Sequence, residues 1–184
     1  MAQSIADRRD QEFVLHEMLD VSDLANHQLF KEFNKKTMDM IVSEARNLAV
    51  KELLPINKDG DEQGCTLENG NVRVPESFHK VFKLFCEGEW IAMCDDPEFG
   101  GQGMPQVLAT TAGELFTGAN CSLLMYPGLT HGAGKLVEEF GTKEQKQLYL
   151  TNLYTGKWAG TMCLTESEAG SDVGNLSTTA KRNA

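Results

Sequence analysis

The sequence lacks several features that define specialised classes of protein. None of its five cysteines belongs to a Cys-x-x-Cys pair, so we predict neither a disulfide framework nor a zinc ribbon, and a reducing compartment fits best. No apolar run approaches the ~18 residues of a membrane span, and the N-terminus lacks the apolar core of a signal peptide. We therefore expect a cytoplasmic protein without membrane insertion.

Positive charge is also scarce. The chain carries 17 Lys and Arg against 27 Asp and Glu, a net charge of −10, and no basic cluster runs against this trend. Such a balance repels a phosphate backbone, so nucleic acid is not an expected partner. The four histidines are too scattered for local metal-ligand spacing, and we predict no metal site. With 184 residues, 41% of them hydrophobic, the chain has the composition of a globular domain.

Apolar spacing predicts a mainly α-helical fold up to residue 158. An Asn69-Gly70 pair lies between two short segments that each contain polar and apolar residues. It predicts a small surface hairpin within the helical region. The predicted helices are two short ones within 10–34, an amphipathic one over Ile41–Leu53 stopped by Pro55, one around Phe78–Phe85, one starting at Pro105, an irregular one over 121–140, and one from the Thr142…Gln145 capping box to Gly156.

The pattern changes after Trp158. Thr161–Thr165 is a short apolar run that suits a buried strand, and Glu168–Asp172 has turn chemistry. We therefore divide the chain into a helical domain, residues 1–158, and the start of a different, β-type unit, residues 159–184.

Two local patterns invite a chemical interpretation. The glycine-rich loop Gly100–Gly103 resembles part of a dinucleotide fingerprint, but Gln106 stands where a third small residue is required and no strand precedes the loop. Paired carboxylates such as Glu166 and Glu168 can act as acid and base when a cleft separates their pKa values. The pair Glu138-Glu139 fits a solvated helix face better.

The end of the chain carries a more specific pattern. Thr161–Asp172 resembles the signature of the acyl-CoA dehydrogenase family, in which a strand ends in Thr-Glu and a tight loop ends in Gly-Ser-Asp. Asp96–Gly103 and Phe140–Lys146 resemble two upstream motifs of the same family, in the same order. Arg9–Asp20 and Met125–His131 further resemble the long subgroup that includes 3-methylmercaptopropionyl-CoA dehydrogenases. The resemblance covers the whole chain but only the front part of such an enzyme.

The resemblance implies an up-down, bundle-like N-terminal helical domain followed by the start of the middle β-domain. It implies FAD as cofactor, an acyl-CoA substrate oxidised to its α,β-enoyl thioester, an acceptor such as an electron-transfer flavoprotein, and a homo-oligomeric full-length protein. The general-base Glu is expected beyond residue 184, so the 184-residue chain alone should be inactive. The implied flavin-contacting residues are Met162, Cys163, Leu164, Thr165, Gly170 and Ser171.

Ser171 is also a candidate for touching the acyl-CoA, together with Met125, Tyr126 and Gly128. The segment Met125–Thr130 has a second interpretation, as a kinked core helix. Ser167-Glu168 departs from the family pattern and adds negative charge near an anionic cofactor. Two other functions stay open: a stand-alone helical module that binds a partner, and part of an acyl-CoA oxidase.

Overall fold

The computed structural model describes residues 5–182, and helices make up most of this part of the chain. The mainly α-helical prediction is confirmed. The first third contains, in order, α1 (Arg8–Glu12), a π-helical turn (Phe13–Met18), 3₁₀ turns (Val21–Asn26 and Gln28–Phe30), α2 (Lys35–Leu48), a π-helical turn (Ala49–Leu53), a 3₁₀ turn (Leu54–Ile56) and α3 (Asn57–Gln63).

The remaining two thirds hold the hairpin and the longest helices. A long irregular segment follows the last helix and carries the family signature. The elements are β1 (Thr66–Glu68), β2 (Asn71–Arg73), α4 (Glu76–Glu87), a 3₁₀ turn (Pro97–Phe99), α5 (Gln106–Phe140), α6 (Lys143–Tyr154) and a 3₁₀ turn (Val173–Asn175).

The helical segments before α2 are irregular. The sequence predicts two short helices there, and the structure has one turn of α-helix followed by π and 3₁₀ turns. Leu15 and Val21 are buried from this region and pack with Met38 of α2 and Leu108 of α5. Burial of these side chains, rather than a regular hydrogen-bond ladder, therefore fixes the segment on the bundle.

The prediction that Pro55 stops the amphipathic helix over Ile41–Leu53 is wrong. The chain continues through a 3₁₀ turn that contains Pro55 and then forms α3. Proline lacks a backbone N–H, but the first turn of a helix needs no intrahelical donor, so Pro55 is tolerated at that position. It therefore begins a new turn here instead of ending the helical path.

The hairpin prediction is confirmed. Asn69 and Gly70 have φ values of 51° and 79°, which are both positive, as a type I′ turn requires. Leu67 of β1 pairs with Val72 of β2 in an antiparallel register, and both side chains are exposed. The hairpin therefore projects from the helices and contributes little to the core.

Helix α5 combines two predicted helices with a break between them. Asn120 leaves helical geometry, with φ −159° and ψ 85°. Its side chain Oδ1 accepts a hydrogen bond from the Leu123 backbone N–H at 3.0 Å, and its Nδ2 donates to the Leu53 carbonyl at 3.3 Å. An Asn in extended geometry that accepts from an N–H three residues later is a helix N-cap. The second half of α5 therefore begins at Asn120, without a loop.

An aromatic cluster forms the centre of the main core. Phe116 is fully buried, and its ring meets Phe85 at 5.0 Å and Trp90 at 5.1 Å between centroids, both in edge-to-face geometry. Such pairs add about 0.5–1.5 kcal/mol beyond the area they bury. The buried residues around it include Ala45 of α2, Ala49 and Leu53 of the following π-helical turn, Phe78 and Val81 of α4, and Ala112, Leu115, Ala119 and Leu123 of α5.

The glycine-rich loop is held by its own backbone. The N–H groups of Gly101 and Gly103 donate to the carbonyls of Asp96 and Asp95, both at 3.0 Å, and that of Gln102 donates to Ala92 at 3.1 Å. These donors are not available to cradle a phosphate, which agrees with the weakness of the dinucleotide pattern. A Cβ at Gly101 would overlap the backbone of Asp95. The glycine therefore serves a close approach of two chain segments.

Gly101→Ala should destabilise the chain by about 1–3 kcal/mol, because the new methyl group forces two backbone segments apart. Gly113→Ala is the matched control, since a Cβ at this helical position of α5 meets nothing within 4 Å. It should stabilise by about 0.5–1 kcal/mol. Urea unfolding of the two variants and the parent measures both effects. Equal stability of Gly101→Ala and the parent would contradict this account of the loop.

The last helix begins as predicted. Thr142 Oγ1 accepts from the Gln145 N–H at 3.3 Å while Gln145 Oε1 accepts from the Thr142 N–H at 2.8 Å, a complete capping box.

The prediction of a buried strand over Thr161–Thr165 is wrong, because these residues are irregular and exposed. A strand forms only by pairing, and within residues 5–182 no other strand lies alongside this segment. The boundary at residues 158 and 159 stays a prediction.

Candidate functional site

The segment that follows α6 lies against the second half of α5. The Gly160 backbone N–H donates to Thr130 Oγ1 at 3.1 Å. A Cβ at Gly160 would stand 2.5 Å from Cβ of Ala133, closer than side chains tolerate, so only glycine allows this contact. Trp158 meets Tyr149 of α6 edge-to-face at 5.9 Å. These contacts fix where the signature segment begins.

An apolar stripe runs along the same half of α5, and we call it the α5 face. It consists of Met125, Gly128, Leu129, Gly132 and Leu136, whose spacing of three, four and seven residues places them on one side of a helix. Met125 and Leu136 are more than half exposed, at 53% and 59%. An exposed apolar stripe of this length is typical of a surface that binds a ligand or another part of a protein.

Met162 joins the two sets of residues that the sequence singled out. Its Cε lies 3.8 Å from the position that a Cβ would take at Gly132. Met162 belongs to the predicted flavin-contacting stretch, and Met125 and Gly128 belong to the predicted substrate set on the same helix face. The structure thus places Met162, the first residue of the predicted flavin-contacting stretch, next to the α5 face, which carries Met125 and Gly128 of the predicted substrate-binding set.

Tyr126 faces a different environment. Its ring meets Phe78 of α4 edge-to-face at 6.5 Å, and its hydroxyl lies 3.7 Å from the Cys65 thiol. Burial and the neighbouring Cys65 raise the pKa of Tyr126 above its usual value. It lines a separate apolar cavity of about 210 Å³ together with Val74, Phe78, His79, Phe82, Leu123 and Ala159. The structure therefore separates Tyr126 from Met125 and Gly128.

The remaining predicted cofactor residues are accessible. Cys163, Leu164, Thr165, Gly170 and Ser171 are all exposed. Among residues 5–182, neither the Thr165 nor the Ser171 hydroxyl has a hydrogen-bond partner, and a Cβ at Gly170 would meet nothing within 4 Å. Two free hydroxyl donors on an open loop fit the polar edges of a flavin and a pyrophosphate group.

Glu166 and Glu168 do not form the acid and base pair that their spacing invites. The Glu166 carboxylate accepts hydrogen bonds from Ser177 and Thr178. The Thr178 and Ser177 donors lower the pKa of Glu166 to about 2, so it is ionised at neutral pH. A carboxylate in this state neither donates a proton nor has a lone pair to spare as a base.

A cluster of charged side chains lies deeper in the same half of α5, and we call it the Asp95 cluster. The buried Asp95 carboxylate accepts from His131 Nε2 at 2.7 Å and pairs with Lys135 Nζ at 3.0 Å. Lys135 also pairs with Glu138, which accepts from the Tyr154 hydroxyl at 3.1 Å. The cluster thereby links the glycine-rich loop to α5 and α6.

The charges in the Asp95 cluster shift pKa values in opposite directions. Burial would raise the pKa of Asp95, but the hydrogen bonds and charges of His131 and Lys135 outweigh it and hold that pKa below its usual value. Burial, with the Asp95 and Glu138 charges, raises the pKa of Tyr154 far above its usual value. No local pattern in the sequence indicates the pairing of His131, because its partner stands 36 residues earlier in the chain.

Other site types are not represented in the described part of the chain. Among residues 5–182, no three His, Cys, Asp or Glu side chains are grouped closely enough to hold a metal ion. No helix in this range is long and apolar enough to cross a membrane.

Comparison with known proteins identifies the family. Residues 35–157 match the model of the acyl-CoA dehydrogenase N-terminal domain, which is well over half of the chain. The chain belongs to the acyl-CoA dehydrogenase family. The match contains the glycine-rich loop, the Asp95 cluster and the α5 face.

Curated relatives of this acyl-CoA dehydrogenase domain are much longer proteins. A 3-methylmercaptopropionyl-CoA dehydrogenase of Ruegeria pomeroyi is 38% identical over 70% of the chain and 22% of its own length. A butyryl-CoA dehydrogenase of Syntrophomonas wolfei is 31% identical over 92% of the chain and 28% of its own length. A broad-specificity linear acyl-CoA dehydrogenase of Mycobacterium tuberculosis is 33% identical over 96% of the chain and 29% of its own length. The chain thus spans about a quarter of the length of these relatives.

A solved structure supports the fold. The glutaryl-CoA dehydrogenase structure with glutaryl-CoA superposes with a TM-score of 0.64 at 22% identity, covering 78% of this chain and 34% of that one. The recognition of the family and of its N-terminal helical fold from sequence is therefore confirmed.

Proposed function

We propose that this chain forms the N-terminal part of an FAD-dependent acyl-CoA dehydrogenase, which oxidises an acyl-CoA to its α,β-enoyl-CoA. The observation that carries the proposal is the contact of the signature segment with the α5 face. Met162 lies beside Gly132, and Gly160 is fastened to Thr130. Residues proposed for the cofactor and for the substrate thereby share one side of α5.

In this proposal the chain's own residues would bind the cofactor and orient the acyl-CoA. The Thr165 hydroxyl would donate to the electron-rich edge of the flavin, and the Ser171 hydroxyl to a phosphate oxygen of the cofactor or the acyl-CoA. Met125 and Gly128 would contact the acyl chain, where burial excludes water from the reacting carbons. The bound flavin supplies the two-electron oxidation. Tyr126 belongs to the same proposal, although it faces the cavity beside Phe78 instead of the α5 face.

In this proposal, the general base belongs to the part of the enzyme beyond residue 184. The same part carries the surface that binds an electron-transfer flavoprotein and the contacts that form a homo-oligomer. A cytoplasmic location is part of the same proposal. The 184-residue chain alone should give no turnover with an acyl-CoA and an electron-accepting dye. A clear rate from this chain would contradict the division of the site.

The test uses the protein encoded by the complete reading frame that contains this chain. It should purify with the visible absorbance of a flavin, and butyryl-CoA should bleach that absorbance in the absence of oxygen. Protein without flavin, or flavin that no acyl-CoA from acetyl to palmitoyl bleaches, would overturn the proposal. Reoxidation by oxygen with release of hydrogen peroxide would assign an acyl-CoA oxidase instead.

Ser171→Ala in that protein should weaken flavin or acyl-CoA binding about ten- to a hundredfold, because one hydrogen bond to a charged group is lost. Ser167→Ala is the matched control: it removes an exposed hydroxyl from the same loop. It should leave both affinities unchanged, as measured by titration of the flavin absorbance. Equal effects of the two variants would remove Ser171 from the site.

A stand-alone helical module is the second candidate. It is favoured by the exposed apolar side chains of the α5 face. A reading frame that stops after Ala184 would support this module and would overturn the dehydrogenase proposal.

A further inference from the structure

Glu166 closes a loop that contains two of the proposed site residues. Its carboxylate oxygen Oε2 accepts from the Ser177 backbone N–H at 2.9 Å and from Ser177 Oγ at 2.8 Å. The other oxygen, Oε1, accepts from the Thr178 backbone N–H at 3.0 Å and from Thr178 Oγ1. Both residues lie more than ten positions further along the chain, so the four hydrogen bonds join the two ends of the loop.

The start of this loop is tied a second time. Glu166 and Ala169 exchange backbone hydrogen bonds of 3.3 and 3.2 Å, and Ala169 is buried in the otherwise exposed segment. The Asn175 N–H donates to the Asp172 carbonyl at 3.1 Å. Gly170 and Ser171 therefore lie between a fixed turn and a fixed return of the chain.

The hydrogen bonds of Glu166 are charge-assisted, which makes them stronger than hydrogen bonds between neutral groups. Both oxygens of an ionised carboxylate accept from backbone N–H and hydroxyl donors, which is the arrangement that holds a carboxylate in its charged form. The pKa of about 2 reflects the same four donors. Neutral donors around a full negative charge make the loop independent of any basic side chain.

We propose that Glu166 is a positioning residue: its carboxylate fastens residues 177–178 to the start of the loop and thereby holds Gly170 and Ser171 in place for the cofactor. This inference rests on the proposed function only for the identity of what Gly170 and Ser171 bind. The closed loop itself is a property of the chain.

The first experiment uses the 184-residue chain and needs no cofactor. Glu166→Gln replaces one acceptor oxygen with an NH₂ donor, which cannot accept from Ser177 or Thr178. The remaining carbonyl oxygen can still accept from one of these two residues. Amide–water exchange measured by NMR should therefore become about tenfold faster at whichever of Ser177 and Thr178 faces the NH₂ group, because a lost bond to a charged acceptor contributes at least that factor. The Gly170 and Ser171 amide resonances should move, while those of α5 and α6 should not.

Glu168→Gln is the matched control. It makes the same chemical change and the same loss of charge two residues away, at an exposed position in the same turn. Exchange at Ser177 and Thr178 should stay at the parent rate. Unchanged exchange in Glu166→Gln, or equal acceleration in both variants, would overturn the closed loop.

The second experiment separates positioning from a merely structural role. In the flavoprotein that the proposed function predicts, Glu166→Gln should raise the flavin dissociation constant about tenfold, whereas Glu168→Gln should not. Glu166→Asp keeps the charge and should restore part of the affinity. An open loop with unchanged flavin affinity would overturn the positioning role. A parent protein without flavin would overturn the proposed function instead, and the exchange data would still decide whether Glu166 closes the loop.

Discussion

Phe116→Ala is expected to destabilise the chain by about 3–5 kcal/mol, the range for removing a buried aromatic ring. Phe116 is fully buried and its ring contacts both Phe85 and Trp90, so the substitution leaves a cavity that two large neighbours border. A domain of this size has about 5–15 kcal/mol of stability in total. The variant should therefore lose about a fifth or more of its free energy of unfolding.

Urea unfolding followed by tryptophan fluorescence measures the effect of Phe116→Ala, because Trp90 is a buried probe next to the substituted ring. Phe140→Ala is the control: this phenylalanine ends α5 and is 79% exposed. It should change the free energy of unfolding by less than about 0.5 kcal/mol. If the two variants lose the same stability, the aromatic cluster is not the centre of the core.

Asp95→Asn is expected to lower stability by about 2–4 kcal/mol, between the value of a charge-assisted hydrogen bond and that of a broken buried ion pair. The Asp95 carboxylate is buried and receives both His131 and Lys135. Asparagine keeps the shape but removes the charge that both partners need. His131 and Lys135 are partly exposed and recover some hydration, which keeps the loss below the upper limit.

Comparison with an exposed carboxylate isolates the buried charge. Asp61→Asn removes the same charge from the exposed surface of α3 and should change stability by less than about 0.5 kcal/mol. An equal loss from both variants would assign the effect to net charge rather than to the Asp95 cluster.

The effect of Asp95 should depend on pH in one direction. Its folded pKa lies below the unfolded value, so its contribution is fully present above the ordinary carboxylate pKa of about 4 and is lost as pH falls through the folded pKa. The stability difference between the parent and Asp95→Asn should therefore be larger at about pH 5 than at about pH 3. A difference that grows on acidification would contradict the assigned partners.

The Asp95 cluster and the proposed site occupy one half of the same helix. His131 and Lys135 bind Asp95, while Leu129 and Gly132, on neighbouring positions, belong to the α5 face. The cluster therefore fixes α5 against the glycine-rich loop and α6 without using the exposed face. This division leaves Met125, Gly128 and the signature segment free to contact a ligand in the proposed function.

The sequence alone predicts those elements whose signals are local. The capping box at Thr142 depends on residues within a single turn, and the Asn69-Gly70 turn depends on two adjacent residues. The spacing around Phe78–Phe85 identifies a helix that buries one face. The family was also recognisable from three ordered motifs, because each carries its chemistry in a continuous stretch.

Predictions that depend on distant partners were less accurate. Thr161–Thr165 has the composition of a strand, but strand formation requires a neighbour that composition does not supply. Pro55 reads as a stop because proline interrupts a helix interior, yet here it falls at the first turn of a new helical segment. The candidate site shows the same dependence on distant partners. Met125 and Tyr126 are adjacent in sequence, but Met125 lies on the α5 face and Tyr126 faces the cavity beside Phe78.

The amino-acid sequence determined the helical fold class, the hairpin and the family, because periodicity, caps, turn residues and short motifs act through neighbours in the chain. Only the tertiary structure decided which charges meet and which residues share a surface. The pairing of Asp95 with His131, the contact of Met162 with Gly132 and the loop closed by Glu166 each join residues at least ten positions apart. Contacts of this kind depend on how the helices pack, and packing energy is shared among many side chains rather than written in any one motif.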